Sequence, residues 1–139
     1  MHRDIHPTRI HFNNGLVKFN LIGLPYNFKK LLKSPCFSGH VNYSAPEIIY
    51  AEANSEEEAG EDLFTEKADI WSLGCCLFYL VTKTDPFESS TVKETKMNIM
   101  KVRLNAPKRA LDQITNSIIA KCLEFDPNRR LDIHSLIKF

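Results

Sequence analysis

The chain has no excess of charge of either sign. Lys and Arg number 18 against 17 Asp and Glu, a net charge of +1 at pH 7. Such a balance gives no electrostatic reason to expect nucleic acid or a membrane surface as partner. Long hydrophobic runs are missing too. The longest nearly apolar stretch, residues 70–81, has 12 residues, Ser72 among them. A bilayer needs about 20 apolar residues, so this stretch suits a buried helix instead. No basic start followed by an apolar stretch stands at the N-terminus, and a secretory signal is not expected. Cysteines are few: Cys36, Cys75, Cys76 and Cys122, two of them adjacent and none in a C-x-x-C pair. A disulfide framework is therefore not expected. Reduced thiols point to the cytoplasm or nucleus rather than to a secreted protein. Only 5 glycines occur, and no phosphate-cradling G-x-G-x-x-G pattern is among them. There is no internal repeat.

What is present fits one globular domain, or part of one, over residues 1–139, with 43% hydrophobic residues to build a core. Residues 9–20 read as a β hairpin, with Ile10 and Phe12, then Leu16, Val17 and Phe19, flanking Asn13-Asn14-Gly15. Residues 21–40, with Gly23, Pro25, Pro35 and Gly39, read as a long loop. A short helix is expected over 45–51, with Pro46 in its first turn. Residues 52–62 carry Glu52, Glu56, Glu57, Glu58, Glu61 and Asp62 and no basic residue, a solvated stretch. Thr65 opens a helix to about Thr82 that is apolar nearly all round and should form the core. Asp85-Pro86-Phe87 ends it. Helices are expected over 92–104 and 111–124. In the second, Leu111, Ile114, Ile118, Ile119, Cys122 and Leu123 share one face. Asp132 caps a last short helix through Ile137. The fold class is mainly α with a short β hairpin.

Several segments, in this order, resemble the protein kinase family. His2-Arg3-Asp4 and the residues to Arg9 resemble the catalytic loop H-R-D-L-K-P-E-N. The segment Gly39-His40-Val41-Asn42-Tyr43-Ser44-Ala45-Pro46-Glu47 is similar to G-T-x-x-Y-x-A-P-E. Asp69-Ile70-Trp71-Ser72-Leu73-Gly74 resembles D-x-W-S-L-G, and Pro86-Phe87 the P-F after it. Lys121-Cys122-Leu123 with Asp126-Pro127 and Arg130 is similar to K-C-L-x-x-D-P-x-x-R. The resemblance implies a kinase-like C-terminal lobe without the N-terminal lobe. It implies that Asp4 is the base and that Glu47 pairs with Arg130 in the interior. It further implies that Asp69 accepts hydrogen bonds from the catalytic-loop backbone and holds His2 and Arg3 in place.

The departures from the pattern matter most. Kinases position a phosphoryl group with metal ions held by an Asn and an Asp. The Asn position is Arg9, a cation. The Asp position falls on Leu21, or on Ile22 if the shorter hairpin shifts the register, and neither offers an oxygen to Mg²⁺. Asn20 is the nearest alternative. The catalytic-loop lysine is replaced by His6, and the threonine that bridges to it by His40. Cys36 and His40 lack a second pair of ligands for zinc. The resemblance with these losses implies a pseudokinase-like domain that binds no cofactor and acts as a protein-interaction or scaffolding module. Val92, Lys96, Met100 and Arg103 would form its docking face. The alternative is a C-terminal fragment of a Ser/Thr kinase using Mg-ATP, since Met1 directly before the catalytic loop is a poor domain boundary. There Ser34 and Ser38 would be regulatory phosphosites, with Arg3 as a phosphate partner.

Overall fold

A computed structural model describes residues 2, 4–20, 40–54, 65–107 and 110–139. Two strands come first, β1 (Ile10–Asn13) and β2 (Leu16–Phe19), paired antiparallel. Their turn is Asn14-Gly15, with φ of 50° and 78°. Both residues lie in the left-handed region that a two-residue hairpin demands, and Asn and Gly tolerate it best. Ile10 stands opposite Phe19 and Phe12 opposite Val17, so these four share one face of the sheet. Ile10 packs against the core, while Phe12 is 77% exposed.

Among the described residues five helices follow: α1 (Pro46–Ala53), α2 (Lys67–Thr82), α3 (Val92–Met100), α4 (Gln113–Cys122) and α5 (Ile133–Leu136). Pro46 sits in the first turn of α1, where its missing N–H costs nothing. Three helices start on side-chain caps. The Thr91 hydroxyl accepts from the Glu94 N–H, and the Asp112 and Asp132 carboxylates accept from Thr115 and Ser135. At α2 the Thr65 hydroxyl accepts from the Lys67 N–H at 3.3 Å. That helix closes on Lys83, at φ 61°, whose N–H returns to Tyr79. Asp85-Pro86-Phe87 therefore follows the end of α2 rather than causing it.

Helix α2 is the centre of the lobe. Ala68, Ile70, Trp71, Gly74, Cys75, Cys76 and Phe78 are buried on it. Trp71 stacks on Phe87, with ring centroids 5.4 Å apart and planes within 9°. The last turn departs from the expected all-round burial, because Leu80 and Val81 are exposed. Helix α4 crosses α2 closely at Gly74. A Cβ there would lie 2.6 Å from the Cβ of Cys122 and 3.0 Å from Leu123.

Two expected helices are shorter than the sequence pattern suggests. Helix α3 stops at Met100 because Val102 takes a left-handed φ of 47°, and the Arg103 N–H reaches back to Asn98 at 2.8 Å. A branched residue in that region costs roughly 1–2 kcal/mol, offset here by packing of Val102 against the core. On α4, Ile119, Cys122 and Leu123 are buried but Ile114 is 65% exposed. Ile114 lies about 140° around the helix from Ile119, which takes it off the face that meets α2.

Candidate functional site

The residues of the first loop converge on one carboxylate. Arg9 lies in the short 3-10 turn Pro7–Arg9, which Pro7 pre-shapes. That turn brings the guanidinium back over Asp4. Arg9 Nε donates to Asp4 Oδ2 at 2.9 Å, and Nη2 lies 2.8 Å from the same oxygen. The second oxygen, Oδ1, is 3.4 Å from His6 Nε2. The other nitrogen of His6 meets the Thr8 hydroxyl at 3.0 Å. His6 is buried, and its ring centroid lies 4.4 Å from that of exposed His40. Burial lowers the His6 pKa from its ordinary value. Asp4 opposes this shift, while His40, Arg9 and His2 add to it.

The loop is tied to the core helix through His2, whose backbone N–H donates to the Asp69 carboxylate. The His2 ring faces Phe19 of β2, with centroids 5.8 Å apart. Among the described residues its Nε2 and the indole N–H of Trp71 are buried without a hydrogen-bond partner.

A second cluster holds the first turn of α1, where Glu47 lies. The Glu47 side chain is 5% exposed and that of Arg130 is 0%. Arg130 Nη1 and Nη2 donate to the two Glu47 oxygens at 2.8 and 3.1 Å. The same guanidinium donates to the carbonyls of Lys67 at 2.7 Å, Glu124 at 3.0 Å and Phe125 at 3.3 Å. It also lies over the Trp71 ring, 5.1 Å from the centroid. A buried charge is tolerated when its donors are met in this way.

Sequence reasoning missed a third tie. Tyr43 OH and Asn42 Nδ2 both donate to the Asp85 carboxylate, the latter at 3.2 Å, and the Ser72 hydroxyl donates to the Tyr43 carbonyl at 2.8 Å. Burial and the contact with Asp85 push the Tyr43 phenol well above its usual range. In the sequence Asp85 reads only as part of a helix stop. Its one local signal was its place beside Pro86-Phe87, and the partners lie more than 40 residues away.

The docking face divides. Val92 and Arg103 are exposed, Lys96 Nζ is 2.9 Å from the Glu52 carboxylate on α1, and Met100 packs half-buried against the core. Met100 thus belongs to the interior side of α3, and Met97 is the exposed methionine. Arg3, Leu21, Ile22, Ser34, Cys36 and Ser38 lie outside the described residues.

Comparison with known proteins matches residues 1–139 to the protein kinase domain. The chain belongs to the protein kinase family. It is 32% identical over 138 residues to the SNF-related serine/threonine-protein kinase of Rattus norvegicus, covering 98% of this chain and 17% of that protein. It is 32% identical to the serine/threonine-protein kinase PLK1 of Xenopus laevis, covering 99% of this chain and 21% of that one. It is 31% identical to an Aurora kinase of Eremothecium gossypii, covering 99% of this chain and 35% of that one. The chain thus spans about a fifth of the length of the first two. The hairpin, the helices and their order are those of a kinase-like C-terminal lobe. No described helix is long and apolar enough to cross a membrane.

The described side chains of this kinase lobe do not fit the Mg²⁺ ion that the family uses. The position assigned to the Asn ligand carries a guanidinium, directed onto Asp4. The backbone N–H of Asn20 donates to the Arg9 carbonyl at 2.8 Å, which fixes Asn20 as the residue closing the base of the hairpin. Among the described residues no three His, Cys, Asp or Glu side chains come together in a metal-holding group. A hard cation needs converging oxygens, and here the Asp4 carboxylate already faces a cation.

Proposed function

We propose that this kinase-like lobe does not transfer phosphate and serves as a protein-interaction module. The observation that carries the reading is the Asp4–Arg9 ion pair. A base must accept the proton of an incoming hydroxyl at hydrogen-bond distance. In this chain Oδ2 of Asp4 takes two guanidinium nitrogens, and Oδ1 faces His6. The cation sits where the family places a metal-binding amide, so the position serves to neutralise Asp4 rather than to gather phosphate.

The partner face on this reading is the outer side of α3, with Val92 and Met97, and Arg103 just beyond the helix, rather than the half-buried Met100. Cytoplasm or nucleus is the proposed location, on the strength of the free, buried thiols of Cys75, Cys76 and Cys122.

The second reading, a C-terminal piece of an active Ser/Thr kinase, is favoured by a separate observation. The supports of the family site are kept: His2 on Asp69 and Glu47 on Arg130. One experiment divides the two. Thermal unfolding is followed with ATP alone, Mg²⁺ alone and both together. No Mg²⁺-dependent stabilisation by ATP is expected, and a clear rise in melting temperature that needs both would sink the inactive reading.

A further inference from the structure

We propose that Asn14 is a modification site: its side-chain amide is lost spontaneously through a succinimide, leaving aspartate and isoaspartate at the tip of the hairpin. Asn14-Gly15 is the one Asn-Gly pair in the sequence. It forms the whole two-residue turn between Asn13 and Leu16. Both residues are exposed. Among the described residues, nothing beyond its two chain neighbours lies within 4 Å of the place a Cβ on Gly15 would occupy, so the turn stands in open space. Asn13, one residue earlier, is followed by a residue with a side chain.

The reaction needs only water. The Gly15 backbone nitrogen attacks Cγ of Asn14, giving up its proton to solvent. The new N–Cγ bond forms as the Cγ–Nδ2 bond breaks, and the amide nitrogen leaves as ammonia. Water then opens the ring. Attack at the side-chain carbonyl gives aspartate, and attack at the backbone carbonyl gives isoaspartate. The balance is one water taken up and one ammonia released.

The turn must flex for the nitrogen to reach Cγ, and this fold allows it. Among the described residues the sheet has two strands, and β2 and all but Ile10 of β1 are exposed. An isolated two-stranded hairpin is marginally stable, and such elements open locally at low free-energy cost. The product matters to the fold. Isoaspartate adds a methylene to the main chain, so a two-residue turn can no longer close the Asn13–Leu16 pair. It also puts a negative charge beside the apolar face of Phe12 and Val17.

The test uses the whole chain, folded, warmed at mildly alkaline pH in heavy-oxygen water. Trypsin cuts after Arg9 and Lys18 and releases residues 10–18, which hold both Asn13 and Asn14. The expected result is the amide-to-acid mass gain with heavy oxygen at residue 14, in two chromatographic forms. One of these accepts methyl groups from a protein isoaspartate methyltransferase. The N14Q variant loses the signal at residue 14 and keeps the helical circular-dichroism spectrum. Retention of the Asn14 amide, conversion no faster than at the other asparagines, or conversion only in denaturant would each overturn the proposal.

Discussion

Arg130 grips Glu47 with both terminal guanidinium nitrogens across 83 residues of sequence. The pair pins the start of α1 to the loop after α4, and the guanidinium spends its other contacts on three carbonyls and the face of Trp71. Removing one partner leaves the other charge buried. Arg130→Met alone, or Glu47→Leu alone, is expected to lower stability by about 3–5 kcal/mol. The double variant regains a large part of that. Urea unfolding of the four proteins measures the coupling, and strictly additive losses would contradict the pairing.

The close crossing at Gly74 leads to a second expectation. Gly74→Ala favours the helix by roughly 1 kcal/mol. Its methyl, however, meets Cys122 Cβ at 2.6 Å, and overpacking of this kind costs about 1–3 kcal/mol. The expected net effect is a lower melting temperature. An unchanged or raised value would show that α2 and α4 separate without penalty.

His6 makes stability depend on pH. Its folded pKa is lowered, chiefly by burial, so the unfolded chain binds the proton more readily. Where the unfolded state holds more protons, stability rises with pH. The His6 contribution is therefore present above the ordinary histidine pKa, about 6.5. It declines as pH falls from there toward the folded value. Asp4, Arg9, His2, His40 and Tyr43 surround the ring. His6→Gln should flatten the slope of unfolding free energy just below that point, and an identical slope would rule out His6 as its source.

The thiols give a chemical check on the core. Cys75, Cys76 and Cys122 are all buried. Burial pushes Cys76 up to about 12 and Cys122 up to about 11, and Cys75 well above the usual thiol range. The thiolate is the reactive form. Peptide mapping after treatment with iodoacetamide should find these three unlabelled in the native chain and labelled once it is unfolded. Rapid native labelling at Cys75 would mean that α2 is not the packed centre.

Much of the fold was legible because its signals are local. Asn14-Gly15 fixes a hairpin turn through backbone sterics, and Thr91, Asp112 and Asp132 mark helix starts by capping N–H groups a few residues on. The stretch 70–81 announced the central helix by its apolar content. Boundaries set from a distance were not legible. Val102 gives no sign in sequence that α3 ends before it, since a left-handed valine survives only where packing holds it. The exposure of Ile114 and the inward turn of Met100 depend on where α2 and the core lie, which periodicity alone does not say.

The sequence by itself determined the family and the order of elements, and its resemblance to the family puts Arg9 where the pattern has an asparagine. The tertiary structure decided what that arginine does. A cation at this place in the chain has several places to point. The 3-10 turn at Pro7–Arg9 brings it back beside a half-buried carboxylate, and the guanidinium closes on Asp4.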